Sequence, residues 1–175
     1  GLSPSTGKGL KDVEVSMFQR ETFHEKHLPK HIANGCVWLD YHSIPQDKDR
    51  NPSSFLAAVN SIPHYVERCD YFWIIAPPAT HYELRETRNF YTWRGRGWCR
   101  LEEVTNLLSQ TLKMPLVVAS ENKVCTYGFL DGLTYVGLDP KKGVGHGQFT
   151  CCRFHHRTQL PDGSYKEIPC DREAI

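Results

Sequence analysis

Three nearly continuous apolar runs stand out along the chain, and each has the length of a buried β-strand. They cover residues 36–40, 71–76 and 115–119. Because these runs are apolar on both faces, they are typical of parallel strands that helices cover on each side. A shorter run at residues 134–138 is predicted to be a fourth strand.

Two segments between these runs carry apolar residues at helical spacing. Residues 53–66 predict a helix that Ser53 caps and Pro63 bends. Residues 98–112 predict a second helix. The residues of its predicted buried face are Leu101, Val104, Leu108 and Leu112. Strands and helices that alternate at this spacing indicate an α/β domain with a parallel sheet.

The remaining segments divide the chain around this core of residues 36–138. Residues 79–97 are predicted to be a long loop with a short helix near residues 81–87. The tail, residues 139–175, is rich in glycine and cysteine, and the turn signal at residues 161–164 predicts a β-hairpin.

The N-terminal segment, residues 1–35, allows two interpretations. Val13 to Phe18 alternates like a strand, but a central strand would bury Glu14 without an evident partner. The alternative, which we favour, is a helix from about Val13 to His31 that breaks near Pro29.

Composition narrows the class of protein. The 175 residues suit one domain, and 21 basic against 20 acidic residues give a formal net charge of +1. A nucleic-acid-binding protein with a broad basic surface is therefore not expected. No apolar run approaches the ~20 residues of a membrane span.

The 7 cysteines lie scattered through apolar segments and do not form a spaced framework. This usage indicates reduced thiols in an intracellular, most simply cytoplasmic, protein.

Several motifs occur in an order that resembles the TIR domain, in the divergent branch that includes heterokaryon-incompatibility proteins. They are Trp38-Leu39-Asp40, the loop with Ser43-Ile44-Pro45-Gln46, the run from Tyr71 to Pro77, and Trp98-Cys99-x-x-Glu102. The resemblance covers about residues 36–120, and the Trp-Cys-x-x-Glu element is its most specific part. It implies a flavodoxin-like fold, although the apolar first strand of that family is poor or missing here.

The resemblance also implies a function. In family members that cleave NAD, a glutamate of this motif is catalytic, and the matching residue is Glu102. NAD would be the substrate, with no resident cofactor. The loop at residues 41–52 would flank the nucleotide, with Ser43 in it, and would mediate contacts with protein partners or self-association.

The residues themselves fit that chemistry. A fixed carboxylate stabilises the oxocarbenium-like transition state of N-glycosidic cleavage. The helical wheel places Glu102 on the flank of Trp98, which would form a wall of the nucleotide cleft. Arg96 and Arg100 are candidate phosphate partners beside it. Asp40 ends a predicted strand, where it either binds ribose hydroxyls or caps the following turn.

A cysteine–histidine cluster in the tail suggests a metal site. Its residues are Cys151, Cys152, His155, His156 and Cys170. In a straight strand Cys151 and His155 would lie about 13 Å apart, too far to share an ion. We therefore predict thiols without a metal.

Two functions follow from the sequence. One is a TIR-like domain that binds NAD or a related nucleotide and hydrolyses it through Glu102. The other is a non-catalytic interaction domain that serves as an adaptor or accessory subunit.

Overall fold

The computed structural model describes residues 21–23, 26, 28–46, 51–82, 85–111, 113–137 and 140–174. The candidate strand from Val13 to Phe18 lies outside these residues. The helix that we favoured for residues 13–31 is wrong where it can be checked, since Glu21–Phe23 is a β-strand.

The described strands form one four-stranded sheet and two small hairpins. The strands are β1 (Glu21–Phe23), β2 (Trp73–Ile75), β3 (Ala79–Thr80), β4 (Thr87–Arg88), β5 (Leu116–Ser120), β6 (Lys123–Thr126), β7 (Arg157–Gln159) and β8 (Tyr165–Glu167). The main sheet has the order β1-β6-β5-β2, and β3-β4 and β7-β8 are the hairpins.

Seven α-helices complete the α/β fold in the described part of the chain. They are α1 (Asp40–Ser43), α2 (Pro52–Asn60), α3 (Ile62–Arg68), α4 (Phe90–Arg94), α5 (Gly97–Leu108), α6 (Phe129–Gly137) and α7 (Thr150–Arg153). Short 3-10 helices cover Lys30–Asn34, Pro140–Lys142 and Asp171–Ala174. No helix in the described part of the chain is long and apolar enough to cross a bilayer.

The sheet is mixed, and only its β2–β5 pair matches the predicted parallel arrangement. Strand β6 runs antiparallel to both β5 and β1. The physical reason is the connection, because a tight turn at residues 121–122 joins β5 to β6, and only antiparallel strands can be joined so closely. A mixed α/β fold is thus confirmed in its coarse form.

The predicted strand at residues 36–40 is wrong. Residues 36–39 pair with no strand in the described ranges, and helix α1 begins at Asp40. Val37 is 79% exposed and Leu39 is 44% exposed, and of this apolar run Trp38 alone packs against the core. The predicted strands at 71–76 and 115–119 are confirmed as β2 and β5, with β2 shorter than expected.

The predicted fourth strand at residues 134–138 is also wrong, because the described residues 134–137 belong to helix α6. The Asp131 carboxylate accepts a hydrogen bond of 3.2 Å from the Gly128 amide at the start of the helix. The apolar run is therefore part of a helical repeat, which a short window cannot distinguish from a strand.

The helix predicted over residues 53–66 is two helices. Asn51, and not Ser53, caps α2 by accepting a hydrogen bond from the Ser54 amide, with Pro52 in the first turn. Helix α3 starts at Ile62, where Pro63 occupies a first-turn position that needs no amide donor.

In the described part of the segment 79–97, which was predicted as a loop, β3 pairs with β4 and helix α4 follows. Asn89 and Thr92 form a reciprocal capping box at the start of α4, with hydrogen bonds of 3.0 and 2.9 Å. The Asn-x-x-Thr spacing was the sequence signal for this helix, and our reading of a short helix nearer His81 missed it. The tail hairpin at the 161–164 turn is confirmed by the pairing of β7 with β8.

The apolar core lies between β2, β5 and helices α2 and α3. Its most buried residues are Val117, Ile74, Tyr127, Val66 and Ile62. Trp98, at the start of α5, packs against this cluster and is half-buried. The core thus fixes the helix that carries the sequence-predicted catalytic residue.

Candidate active site at the start of helix α5

The N-terminus of α5 is held by the tail of the chain. The Gly97 amide donates to the Gln148 carbonyl at 3.1 Å, and the Gln148 amide donates to the Gly95 carbonyl at 2.8 Å. A Cβ on Gly97 would lie 2.0 Å from the Phe149 ring, so only glycine allows this approach. The segment at residues 95–97 is therefore in direct contact with the segment at residues 147–149 of the glycine-rich tail.

Glycine is required on the tail side as well. Gly147 has φ of +103°, and a Cβ there would lie 2.7 Å from the Gly95 carbonyl oxygen. These contacts satisfy a first-turn amide that no side chain caps.

Glu102, Asp40 and Arg96 form one electrostatic group, although they come from different elements. Burial and, after it, the charge of Asp40 raise the pKa of Glu102, Arg96 lowers it, and the net result is a rise from the ordinary value of 4.5 to about 7. Glu102 is half-buried, whereas Asp40 and Arg96 are exposed. The structure thus brings together three of the residues selected from the sequence.

Cys99 lies in the same group and is buried. Burial raises the pKa of its thiol to about 12, with Arg96 lowering it and the charges of Glu102 and Asp40 raising it. This cysteine therefore stays protonated at neutral pH and does not act as a nucleophile there.

Asp40 and Ser43 both make local backbone bonds in α1. The Asp40 carboxylate accepts from the Tyr41 amide at 2.6 Å, and the Ser43 hydroxyl accepts from the Leu39 amide at 3.1 Å. The cap that the sequence allowed for Asp40 is not formed, because Leu39 is the N-cap of α1 and no side chain caps this helix. Because Asp40 is exposed, its bond to the Tyr41 amide leaves part of its carboxylate facing solvent.

Arg100 lies apart from this group. It is buried, its Nε donates to the Arg94 carbonyl at 2.8 Å, and its Nη1 donates to the Lys141 carbonyl at 2.7 Å. The side chain ties α5 to α4 and to the tail, so we leave it out of the candidate site.

The predicted buried face of α5 is wrong at Leu108, which is 71% exposed, and Leu112 lies outside the described residues. Glu103 and Asn106 are instead 0% exposed and share the buried face with Leu107. A buried ion pair offsets the cost of placing Glu103 in the interior.

That ion pair joins α5 to α4 and to the end of β6. Arg94 Nε donates to both oxygens of Glu103, at 2.9 and 3.0 Å, and Arg94 Nη2 donates to Oε1. The Tyr127 hydroxyl donates to the same Oε1 at 2.7 Å. The Arg94 guanidinium also lies 4.9 Å from the centroids of the Phe90 and Tyr127 rings.

The titration behaviour of this cluster follows from its pairing. Burial lowers the pKa of Arg94, but the charge and hydrogen bonds of Glu103 outweigh that effect and raise it. Burial and the charge of Glu103 raise the pKa of Tyr127 well above its usual range. Sequence reasoning missed this cluster, because Arg94 was assigned to a loop.

A large groove opens beside this helix terminus, with a volume of about 1280 Å³. It lies at the carboxyl end of β2, where open α/β sheets bind ligands. Three arginines line it: Arg88, Arg96 and Arg153. Arg88 and Arg153 pair with Glu86 at 2.7 and 3.0 Å, while Arg96 has no ion pair among the described residues.

The groove and the carboxylate pair share one residue. Arg96 lines the groove and also acts on the Glu102 carboxyl, whereas Glu102, Asp40 and Trp98 are not among the groove's lining residues. An anionic ligand in the groove therefore meets the candidate site at Arg96.

The tail segment predicted as a straight strand is instead helix α7 followed by a tight turn. His155 and His156 have φ of 52° and 55°, in the left-handed region, and the His156 amide donates to the Cys151 carbonyl at 2.7 Å. The distance argument made for a strand is therefore wrong. Side-chain ligand atoms of Cys151, Cys152, His156 and Cys170 lie within 4.8 Å of one another, and His155 is not in the group.

Comparison with known proteins adds no family to this description. No family model matches the chain, and no curated protein or solved structure is significantly similar to it.

Proposed function

We propose that the domain is a TIR-like module that binds a nicotinamide nucleotide and cleaves its N-glycosidic bond through Glu102. The observation that carries the proposal is the raised pKa of Glu102, about 7, beside Asp40 and Arg96 at the start of a helix. Carboxyl groups tuned toward neutral pH by burial and a like charge are concentrated at functional sites.

The reaction fits the charges present. The bond between ribose C1′ and the nicotinamide nitrogen breaks, and its electron pair leaves with neutral nicotinamide. Positive charge then develops on the ribose, which the ionised Glu102 stabilises, and water adds to C1′ and loses a proton. Arg96 would contact the diphosphate at the edge of the groove.

The pKa of Glu102 gives this proposal a pH signature. The carboxylate form is the one that stabilises the cation, so activity rises with pH through about 7 and levels off above it. A bound cationic substrate shifts this transition downward, because it favours the ionised carboxylate.

The test is nicotinamide release by the purified protein, with wild type beside Glu102→Gln. Loss of one charge-stabilising group typically lowers turnover by about 10²–10³-fold. Glu121→Gln is the matched control, because Glu121 is an exposed glutamate in the β5–β6 turn. Folded wild-type protein without release, or equal rates in the two variants, would overturn the proposal.

A non-catalytic interaction domain is the second candidate, and exposed apolar residues favour it. Ile75 of β2 is 64% exposed, Trp73 is 38% exposed, and β2 has no strand on its outer edge in the described part of the chain. Val37 and Tyr41 are also exposed, the latter in the loop predicted to contact partners. Such residues are typical of protein-binding surfaces.

The interaction role has its own measurement. Analytical ultracentrifugation of wild type and Ile75→Lys should then show association that the charge abolishes. A monomeric wild type at high concentration argues against self-association through this edge.

A further inference from the structure

We propose that Cys151, Cys152, His156 and Cys170 bind one Zn²⁺ ion, and that the ion fixes the tail against helix α5. Three thiols and one imidazole form a ligand set that suits tetrahedral zinc. The site is separate from Glu102 and does not depend on the proposed catalysis.

The ligand atoms have nearly the spacing of a tetrahedral site. The sulfur atoms of Cys151 and Cys152 are 3.9 Å apart, and those of Cys152 and Cys170 are 3.7 Å apart. His156 Nε2 lies 3.4 Å from the Cys152 sulfur. Zinc–ligand bonds of about 2.0–2.3 Å place neighbouring tetrahedral ligands about 3.5–3.8 Å apart.

The backbone around the cluster supports ligand binding. The Asp171 amide donates to the Cys151 sulfur at 3.3 Å, as second-layer donors to metal-bound thiolates do. His156 reaches the cluster because the turn after α7 takes a left-handed conformation. The four residues come from two segments, α7 with its turn and the chain after β8, so the ion closes the hairpin between them.

A metal explains the cluster better than a disulfide. All three cysteines are free, and the central sulfur, on Cys152, has two other thiols and an imidazole within 4 Å. A disulfide would join two of these groups and leave the other two without a role. Four convergent ligands with protein donors only are typical of a closed structural zinc site.

The position of the cluster indicates a structural role for the ion, which would hold the tail next to the start of α5. Helix α7 begins directly after Phe149, whose ring packs on Gly97. The Arg172 Cζ atom lies 5.5 Å from the centroid of the same ring. Cys152 also lines the groove. A zinc ion here would hold the groove wall and the segment that bonds to the start of α5.

The first experiment measures the metal content of protein purified under reducing conditions, followed by Co²⁺ substitution. We expect about one zinc per chain and a tetrahedral cobalt spectrum with thiolate charge-transfer bands. His156→Asn should lose the metal, and the adjacent His155→Asn is the matched control, because asparagine tolerates the left-handed backbone at both positions. Equal metal content in the two variants, or none in wild type, would overturn the site.

If the ligand variants fail to fold, a second measurement tests zinc binding in the wild-type protein. Alkylation of wild-type protein is followed by mass spectrometry before and after chelation. Zinc protects Cys151, Cys152 and Cys170 until the chelator removes it, whereas the exposed Cys36 reacts in both samples. Protection that chelation leaves intact and reduction abolishes would indicate a disulfide and refute the metal site.

The structural task has a separate readout. Hydrogen exchange at the Gly97 and Gln148 amides, which bond across the tail–helix junction, should accelerate after chelation. Unchanged exchange would show that the ion does not hold this junction.

Discussion

Glu102 and Glu103 are neighbours on one helix, yet their carboxylates have opposite electrostatic surroundings. Glu103 is fully buried and receives a bidentate guanidinium and a phenol, so its charge is neutralised. Glu102 is half-buried beside the like charge of Asp40, with Arg96 as the opposing cation. The comparison teaches that burial alone does not indicate function. A paired carboxylate is part of the core, and a carboxylate held near a like charge is available for chemistry.

The largest expected effect comes from breaking the buried pair. Glu103→Gln leaves the Arg94 guanidinium buried without its counter-charge and should destabilise the fold by about 3–5 kcal/mol. Urea unfolding followed by tryptophan fluorescence measures the loss. Glu86→Gln is the matched control, since Glu86 pairs with Arg88 and Arg153 at the surface and should contribute less than about 1 kcal/mol.

A double variant sharpens the same point. Arg94→Met combined with Glu103→Leu removes both charges and should recover most of the stability lost in Glu103→Gln. A double variant as unstable as the single one would contradict the view that the uncompensated charge is the cause.

Glu102 should respond in the opposite direction. Its folded-state pKa of about 7 lies above 4.5, so its contribution to stability is fully present below 4.5 and is lost as pH rises through about 7. Glu102→Gln removes that loss and should stabilise the protein by about 1–3 kcal/mol at pH ~8, with little change near pH ~4. Urea unfolding at both pH values measures the difference, and a variant less stable at high pH would show that Glu102 is a structural carboxylate.

The smallest expected effect concerns the third member of the buried cluster. Tyr127→Phe removes the hydroxyl that donates to Glu103 but keeps the ring beside Arg94, and should cost about 1–2 kcal/mol. Tyr165→Phe, at an exposed tyrosine of β8, is the control and should leave the unfolding midpoint unchanged. A loss as large as that of Glu103→Gln would mean that the phenol, and not Arg94, neutralises the carboxylate.

Local sequence signals predicted those parts of the fold that depend on neighbouring residues. Strands β2 and β5, helix α5 and the tail hairpin follow from apolar runs, helical spacing and a Pro-Asp-Gly turn. The strands predicted from the apolar runs at residues 36–40 and 134–138 were wrong, because such a run fits a buried strand, a helix or an exposed segment equally well. What it becomes depends on which neighbours are available to cover it.

The candidate site also combines features that local sequence predicts with features that only tertiary contacts decide. The sequence selected Glu102, Asp40 and Arg96, and in the structure the charges of Asp40 and Arg96 act on the Glu102 carboxyl. It also selected Arg100, whose donors bind backbone carbonyls of α4 and the tail. The local sequence around an arginine is the same whether it faces a ligand or binds backbone carbonyls. For Arg100 the contact with the Lys141 carbonyl depends on how the tail folds back onto α5.

The sequence by itself determined the helix that carries Glu102 and the ligand types in the tail. The tertiary structure decided which carboxylate is buried and whether the cysteines and His156 converge. The physical reason is that pairing and coordination depend on distance in space. Residues 94, 103 and 127 come from separate segments of the chain, and so do Cys151 and Cys170, so no local pattern records their approach.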